Sequence, residues 1–244
     1  MLVRKARALV LAVMASLGVA MGAPALSTSA VAAPINAKSL EASVRRAILA
    51  EHSVHLVILE QGKASKGTER IVADVGRTVG NQVLTFGKST AFVRVTSHAA
   101  YFKGNRSGLV TFFGLSSAVV DKIGHRWVSL AKRTSQYSGF KKEGTMASLA
   151  PSILPTALDT VRLSVAHRDH QKDFVLSWTA SPSGSSVKIA ERLTIPSRGS
   201  YLPNEQTGRA LDKSASETIA FTRWGEVVRA EAPKSSIAYA KIAG

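Results

Sequence analysis

From Ser53 onward, apolar residues recur at every second position in one short segment after another, with turn residues between the segments. A period of two sends alternate side chains to opposite faces of an extended chain, so each segment reads as a strand. Val54-Leu56-Ile58 alternates with His55-Val57-Leu59, a strand that is apolar on both faces. Thr68–Val75, Val83–Phe86 and Ala91–Thr96 follow, the last two joined by a Gly87-Lys88 turn, and Tyr101-Phe102 closes the run. The second half repeats the pattern in Val161-Leu163-Val165, Phe174-Leu176-Trp178 and Val187–Ile195. Thr218–Trp224 and Glu226–Ala232 are expected to finish it around Gly225, with Pro233 as the stop. The spacing predicts a large antiparallel sheet of about ten strands, and open sheets of that width curl.

Two stretches depart from this period. Ser39, followed by Leu40, Val44, Ala47 and Ile48, reads as an N-capped amphipathic helix. Within Leu109–Ile123, Leu109, Phe112, Phe113, Leu115, Val119 and Val120 follow helical spacing, although Gly114 sits inside the stretch. Tyr137–Leu158 reads as loop and helix, broken by Pro151 and Pro155. The fold class is therefore α+β: a curled half-barrel with an N-terminal helix and a mid-chain helical lid. No linker, low-complexity tract or charge run divides 33–244, which is expected to be a single domain.

Residues 1–32 carry a different message. Arg4, Lys5 and Arg7 precede an apolar stretch, Ala8–Met21, and small residues end in Ala30-Val31-Ala32. This is the pattern of an export signal cleaved after Ala32. At ~1.5 Å per residue the apolar stretch reaches about 21 Å, short of the roughly 30 Å hydrocarbon core, so it does not read as a spanning anchor. The chain has no cysteine. That excludes disulfides, thiolate metal sites, a cysteine nucleophile and an acylated-cysteine anchor. The expected location is secreted or in the cell envelope, without a lipid anchor.

Thirty-two Lys and Arg against 16 Asp and Glu give a formal net charge of +16. Such a balance points to anionic partners, but the basic residues neither cluster nor interleave with stacking aromatics, so nucleic acid is not an expected partner. The motifs carrying catalytic chemistry are missing. Gly114-Leu115-Ser116-Ser117-Ala118 lacks the final glycine of a nucleophile elbow and lies in a helical stretch. Gly62–Gly67 lacks a P-loop ending. His52/His55 and His167/His170 are three apart, but in strand or turn contexts and without a carboxylate cluster. Glu191, Glu226 and Glu231 are scattered over strands. No catalytic residue, metal site or cofactor is expected.

The opening helix at Ser39–Ser53, the segments Ala91–Gly104 (AFVRVTSHAAYFKG) and Arg126–Leu130 (RWVSL), and the ending Phe221–Pro233 (FTRWGEVVRAEAP) carry a family likeness. Together they resemble the LolA/LppX-type superfamily of lipoprotein and lipid carriers, as an actinobacterial, non-lipidated member. Two departures stand out: the lipobox cysteine is absent, and Tyr201-Leu202-Pro203 leads into the polar Asn204–Arg209. The resemblance implies a non-catalytic carrier holding a lipid or other amphiphile in an apolar cavity between sheet and helix. The candidate lining is Leu109, Phe112, Phe113, Leu115 and Val119 on the lid, and Phe92, Phe174, Leu176 and Trp178 on the sheet. Lys and Arg near the mouth are expected to pair an anionic headgroup. Periodicity is the same for a filled core and a hollow one. A cell-envelope interaction module with a filled core and a basic surface for anionic membrane, wall polymer or partner protein therefore stands as the alternative.

Overall fold

The computed structural model describes residues 36–63, 67–154, 160–168, 171–181 and 186–242, so the expected export signal and its cleavage site lie outside the described residues. Twelve strands form one unclosed sheet in the order β12-β6-β5-β4-β3-β2-β1-β11-β10-β9-β8-β7. The strands are β1 (Ser53–Gly62), β2 (Thr68–Gly76), β3 (Gly80–Phe86), β4 (Ser89–Val95), β5 (Ala99–Gly104), β6 (Val128–Ala131), β7 (Arg162–Arg168), β8 (Gln171–Ala180), β9 (Ile189–Pro196), β10 (Glu205–Ala210), β11 (Ala215–Thr222) and β12 (Ile237–Ala238). Every pair is antiparallel except β12 with β6. The result is an α+β curled half-barrel whose packed helices lie on the inner face.

The inner face carries two apolar clusters. In the first, helix α1 (Ala37–Ala50) buries Leu40, Val44 and Ile48 against Val54, Leu56 and Ile58 of β1 and against β8, β9 and β11. The cap of α1 lies upstream of the expected Ser39. Asn36 accepts from the Ser39 N–H at 2.9 Å, and Ser39 Oγ accepts from the Asn36 N–H at 3.2 Å, a reciprocal box. Arg45 ties the helix across to the Leu154 carbonyl at 2.7 Å. In the second cluster, β3 to β6 pack beneath the mid-chain helices.

The lid is not one helix. Helix α2 (Arg106–Phe113) ends at Gly114, whose φ of 64° is left-handed, and Ser116 then caps α3 (Ser117–Ile123). The glycine inside the apolar stretch is thus a helix stop. Helix α4 (Ser135–Glu143) completes this cover, whereas α5 (Met146–Ile153) buries Met146, Ala150 and Ile153 in the first cluster beside α1. Asn105 fixes the start of α2: its Oδ1 accepts from Gly108 at 2.7 Å and Thr90 at 3.1 Å, and its Nδ2 donates to the Lys88 carbonyl at 2.7 Å. A Cβ on Gly108 would stand 2.1 Å from the Thr90 carbonyl oxygen. Because that neighbour is backbone, Gly108→Ala is expected to cost about 1–3 kcal/mol, read as a lower denaturation midpoint. An unchanged midpoint would show that α2 does not dock this closely.

The C-terminal reading needs correction. Residues 226–232 form no strand. Arg223 (φ 49°) and Gly225 (φ 78°) turn the chain out of β11, and the Gly225 N–H donates to the Ser53 carbonyl at 3.0 Å. The segment then crosses the outer face as a strap. Ser53 Oγ donates to the Glu226 carbonyl, Asn81 Nδ2 to that of Arg229 at 2.9 Å, and Arg94 to that of Glu231 at 3.2 Å. It ends as β12 beside β6, and Ile242 drops into the second cluster. The polar Glu205–Ala210, left unassigned by periodicity, is β10. Its inward positions are Gln206, Gly208 and Ala210, so no bulky apolar residue marks it.

Candidate ligand-binding cleft

Between the second cluster and its helices lies a cleft of about 210 Å³. Its floor is Leu84, Val93, Phe102 and Leu130, from four adjacent strands. Its roof is Phe113 and Leu115 at the end of α2, with Gly139 and Phe140 of α4, and Tyr239 closes one side. Gln82 and Gln136 are its amide-bearing members. Three phenylalanine rings meet here. Phe102 lies 4.7 Å from Phe113 and 5.9 Å from Phe140, and Phe113 lies 5.7 Å from Phe140, centroid to centroid. These separations are those of favourable aromatic pairs, so floor and roof are held by ring contacts that leave space beside them.

The nine lining candidates divide into four groups. Phe113 and Leu115 line the cleft, while Val119 is half-buried against the same cluster. Leu109 and Phe112 are 0% and 2% exposed and pack as core beneath the cleft's roof. Phe174, Leu176 and Trp178 point inward, but they are sealed in the other cluster. Phe92 faces outward, under Lys103, because β4 buries Ala91, Val93 and Val95. Both registers of β4 contain apolar residues, and the small Ala91 disguised the inner one. Phe102 and Phe140, not among the candidates, are the rings that complete the cleft. Phe140 lies in a polar helix whose apolar periodicity is weak, so only its proximity to Tyr137 hinted at a packed face.

A second feature of the inner face is a transverse row of carboxylates. Strand register sets Trp178 opposite Glu191, Glu191 opposite Gly208, Gly208 opposite Glu217, Glu217 opposite Glu60 and Glu60 opposite Glu69. Sequence reading saw only Glu191 of these and saw it as isolated. The Glu191 carboxyl lies over Gly208, where a Cβ would come within 3.1 Å of it, and accepts from Gln206 at 3.3 Å. Burial pushes Glu191 up to about 7, against a lowering hydrogen bond from Gln206. Burial also pushes Glu217 up to about 8, reinforced by the charges of Glu60 and Glu191. Glu217 as a residue keeps some exposure, but its Oε2 is sealed and has no hydrogen-bond partner.

The histidines separate. His55 Nδ1 sits 2.7 Å from Asp74, which also accepts from Arg223 at 3.2 Å, whereas His52 Nδ1 sits 2.8 Å from Arg77. His170 lies outside the described residues. Among the described residues, no group of three His, Cys, Asp or Glu is arranged to hold a metal ion. Ser116 is engaged as the cap of α3, accepting from Val119 at 3.4 Å.

No family model and no curated protein matches the chain. Among solved structures it is similar to LprF from Mycobacterium bovis, at 14% identity over 81% of this chain and 96% of that one, with a TM-score of 0.50. The chain has the LprF-type fold, a curled half-barrel. The lipoprotein LppX from Mycobacterium tuberculosis aligns at 16% identity over 80% of this chain and 99% of that one, with a TM-score of 0.47. The order of strands in the sheet explains why the cleft sits where it does. β3 to β6 form the half of the inner face that α1 leaves to the mid-chain helices. Among the described residues, no helix is long and apolar enough to cross a membrane.

Proposed function

We propose that the protein is an exported, non-catalytic carrier that shelters the apolar tail of a lipid or other amphiphile in the cleft beneath α2 and α4. The observation that carries this reading is the cleft itself: three phenylalanines, Leu84, Val93 and Leu115 surround a space that their own side chains do not fill. An apolar void of about 150 Å³ is enough to bind a benzene-sized guest, whereas whole drug-sized ligands occupy roughly 300–1,000 Å³. At about 210 Å³ the cleft admits part of one acyl chain. Each methylene buried there contributes about 0.8 kcal/mol, so even six to eight of them give useful affinity. A longer tail requires the roof to part. The roof is suited to that, because α2, α3 and α4 are short and end at Gly114, Gly124 and Gly144.

Native mass spectrometry of the purified chain offered long-chain fatty acid tests the proposal. One bound molecule that persists at high ionic strength is expected, since apolar burial is insensitive to screening. No retained molecule, or one lost in salt, would favour the filled-core interaction module acting through its basic surface.

A further inference from the structure

The outer face of the sheet carries an apolar stripe with cations at its margins. Register aligns Ala220 of β11, Val57 of β1, Val72 of β2, Val83 of β3 and Phe92 of β4 in one transverse row. All are half-buried and face away from the helices. The next row adds Leu59, 40% exposed, beside Arg70. The strap's carbonyls accept from Asn81 and Arg94 in the neighbouring row and from Ser53 beyond it, and none of these bonds comes from the stripe. At the β5 end, Lys103 stands opposite Phe92 and lies 5.1 Å above its ring. Lys103 and Arg94 each lie 4.9 Å from the Trp127 ring. Among the described residues, Arg70, Arg94 and Lys103 form no ion pair. Among the described residues, acidic groups on this side include Asp74, engaged by His55 and Arg223, Glu205 opposite Ala220, the buried Asp173 of β8, and Glu226 and Glu231 of the strap.

Contiguous apolar side chains on an exposed face mark an interaction site, and a tryptophan flanked by long cationic side chains is the chemistry of a membrane–water interface. A soluble polyanion would use the cations but not the valines. We propose that this outer face docks the protein on an anionic lipid bilayer. Val57, Val72, Val83 and Phe92 meet the headgroup–acyl boundary, Arg70 and Lys103 meet phosphates, and Trp127 sits at the interface. Docking here leaves the cleft on the opposite face free and does not depend on what fills it.

Co-sedimentation with vesicles of equal parts phosphatidylcholine and phosphatidylglycerol tests this, with pure phosphatidylcholine vesicles as reference. Binding to the anionic vesicles alone is expected. Arg70→Gln with Lys103→Gln should weaken it about 25-fold, roughly fivefold for each basic residue near the surface. Lys132→Gln with Arg133→Gln, on the turn after β6, removes the same charge but should leave binding nearly unchanged. Val72→Thr with Val83→Thr, which keeps charge and strand propensity, should also weaken it. Phe113→Asp should bind vesicles as the wild type does, which separates this surface from the cleft. Equal losses from the two charge pairs would overturn the proposal in favour of diffuse attraction. Undiminished binding by the threonine pair would overturn it in favour of a polyanion site, and so would no sedimentation at all in favour of no lipid surface.

Discussion

Phe113→Asp is expected to abolish uptake of a fluorescent fatty acid while leaving the far-UV circular dichroism of the sheet intact. Phe113 is half-buried at the roof of the cleft, in ring contact with Phe102 and Phe140. A carboxylate there can turn toward solvent in the empty protein, so the folded state tolerates it. Once an acyl chain fills the space, that charge must lie against hydrocarbon without a partner, a cost far above that of an ordinary lost contact. Its neighbour in sequence behaves differently. Phe112 is 2% exposed and packs as core, and truncating it to alanine should cost about 3–5 kcal/mol of stability. A Phe113→Asp protein that takes up the probe as well as the wild type would place the ligand elsewhere.

Glu217→Gln is expected to stabilise the protein at pH 9 and to leave it nearly unchanged at pH 4. The carboxyl is held up to about 8 against an ordinary value of 4.5, chiefly by burial and then by Glu60 and Glu191. A folded-state value above the unfolded one means that the native state binds the proton more tightly. Stability is therefore full below about pH 4.5 and is lost as pH rises through 8, as the sealed carboxyl ionises. Glutamine keeps the shape of the protonated acid and removes that loss. At about 1.4 kcal/mol per pH unit of displacement, the gain amounts to a few kcal/mol, reduced by the residue's partial exposure and by relief in Glu191. Urea midpoints at the two pH values check it. A variant less stable than the wild type at pH 9 would mean that the ionised carboxylate has a stabilising partner.

The sheet was legible because its strands bury one face and expose the other, which leaves a period of two in the sequence. Where that contrast fails, reading fails. β10 presents Gln206 and Gly208 inward, and residues 226–232 alternate like a strand while serving as a strap held by side chains of Ser53, Asn81 and Arg94. Trp178 and Leu176 do face inward, as their spacing implied, but spacing carries no information about which helix covers them. That depends on contacts made far along the chain: α1 and α5 seal β8 and β9, whereas α2 and α4 cover β3 to β6. The carboxylate row was invisible for a related reason. Glu60, Glu191 and Glu217 become neighbours only through the pairing of β1 with β11 and of β9 and β11 with β10. The curled sheet with an opening helix agrees with the expected family likeness, and LprF shares that fold.

The most direct measurement is photo-crosslinking with a fatty acid carrying a diazirine near its methyl end, followed by peptide mapping. Adducts on Phe102, Phe113, Leu115 or Phe140, suppressed by unlabelled fatty acid, are the predicted result. Adducts confined to β7 to β9 beneath α1, or adducts that unlabelled fatty acid does not suppress, would contradict a tail sheltered between β3–β6 and the mid-chain helices.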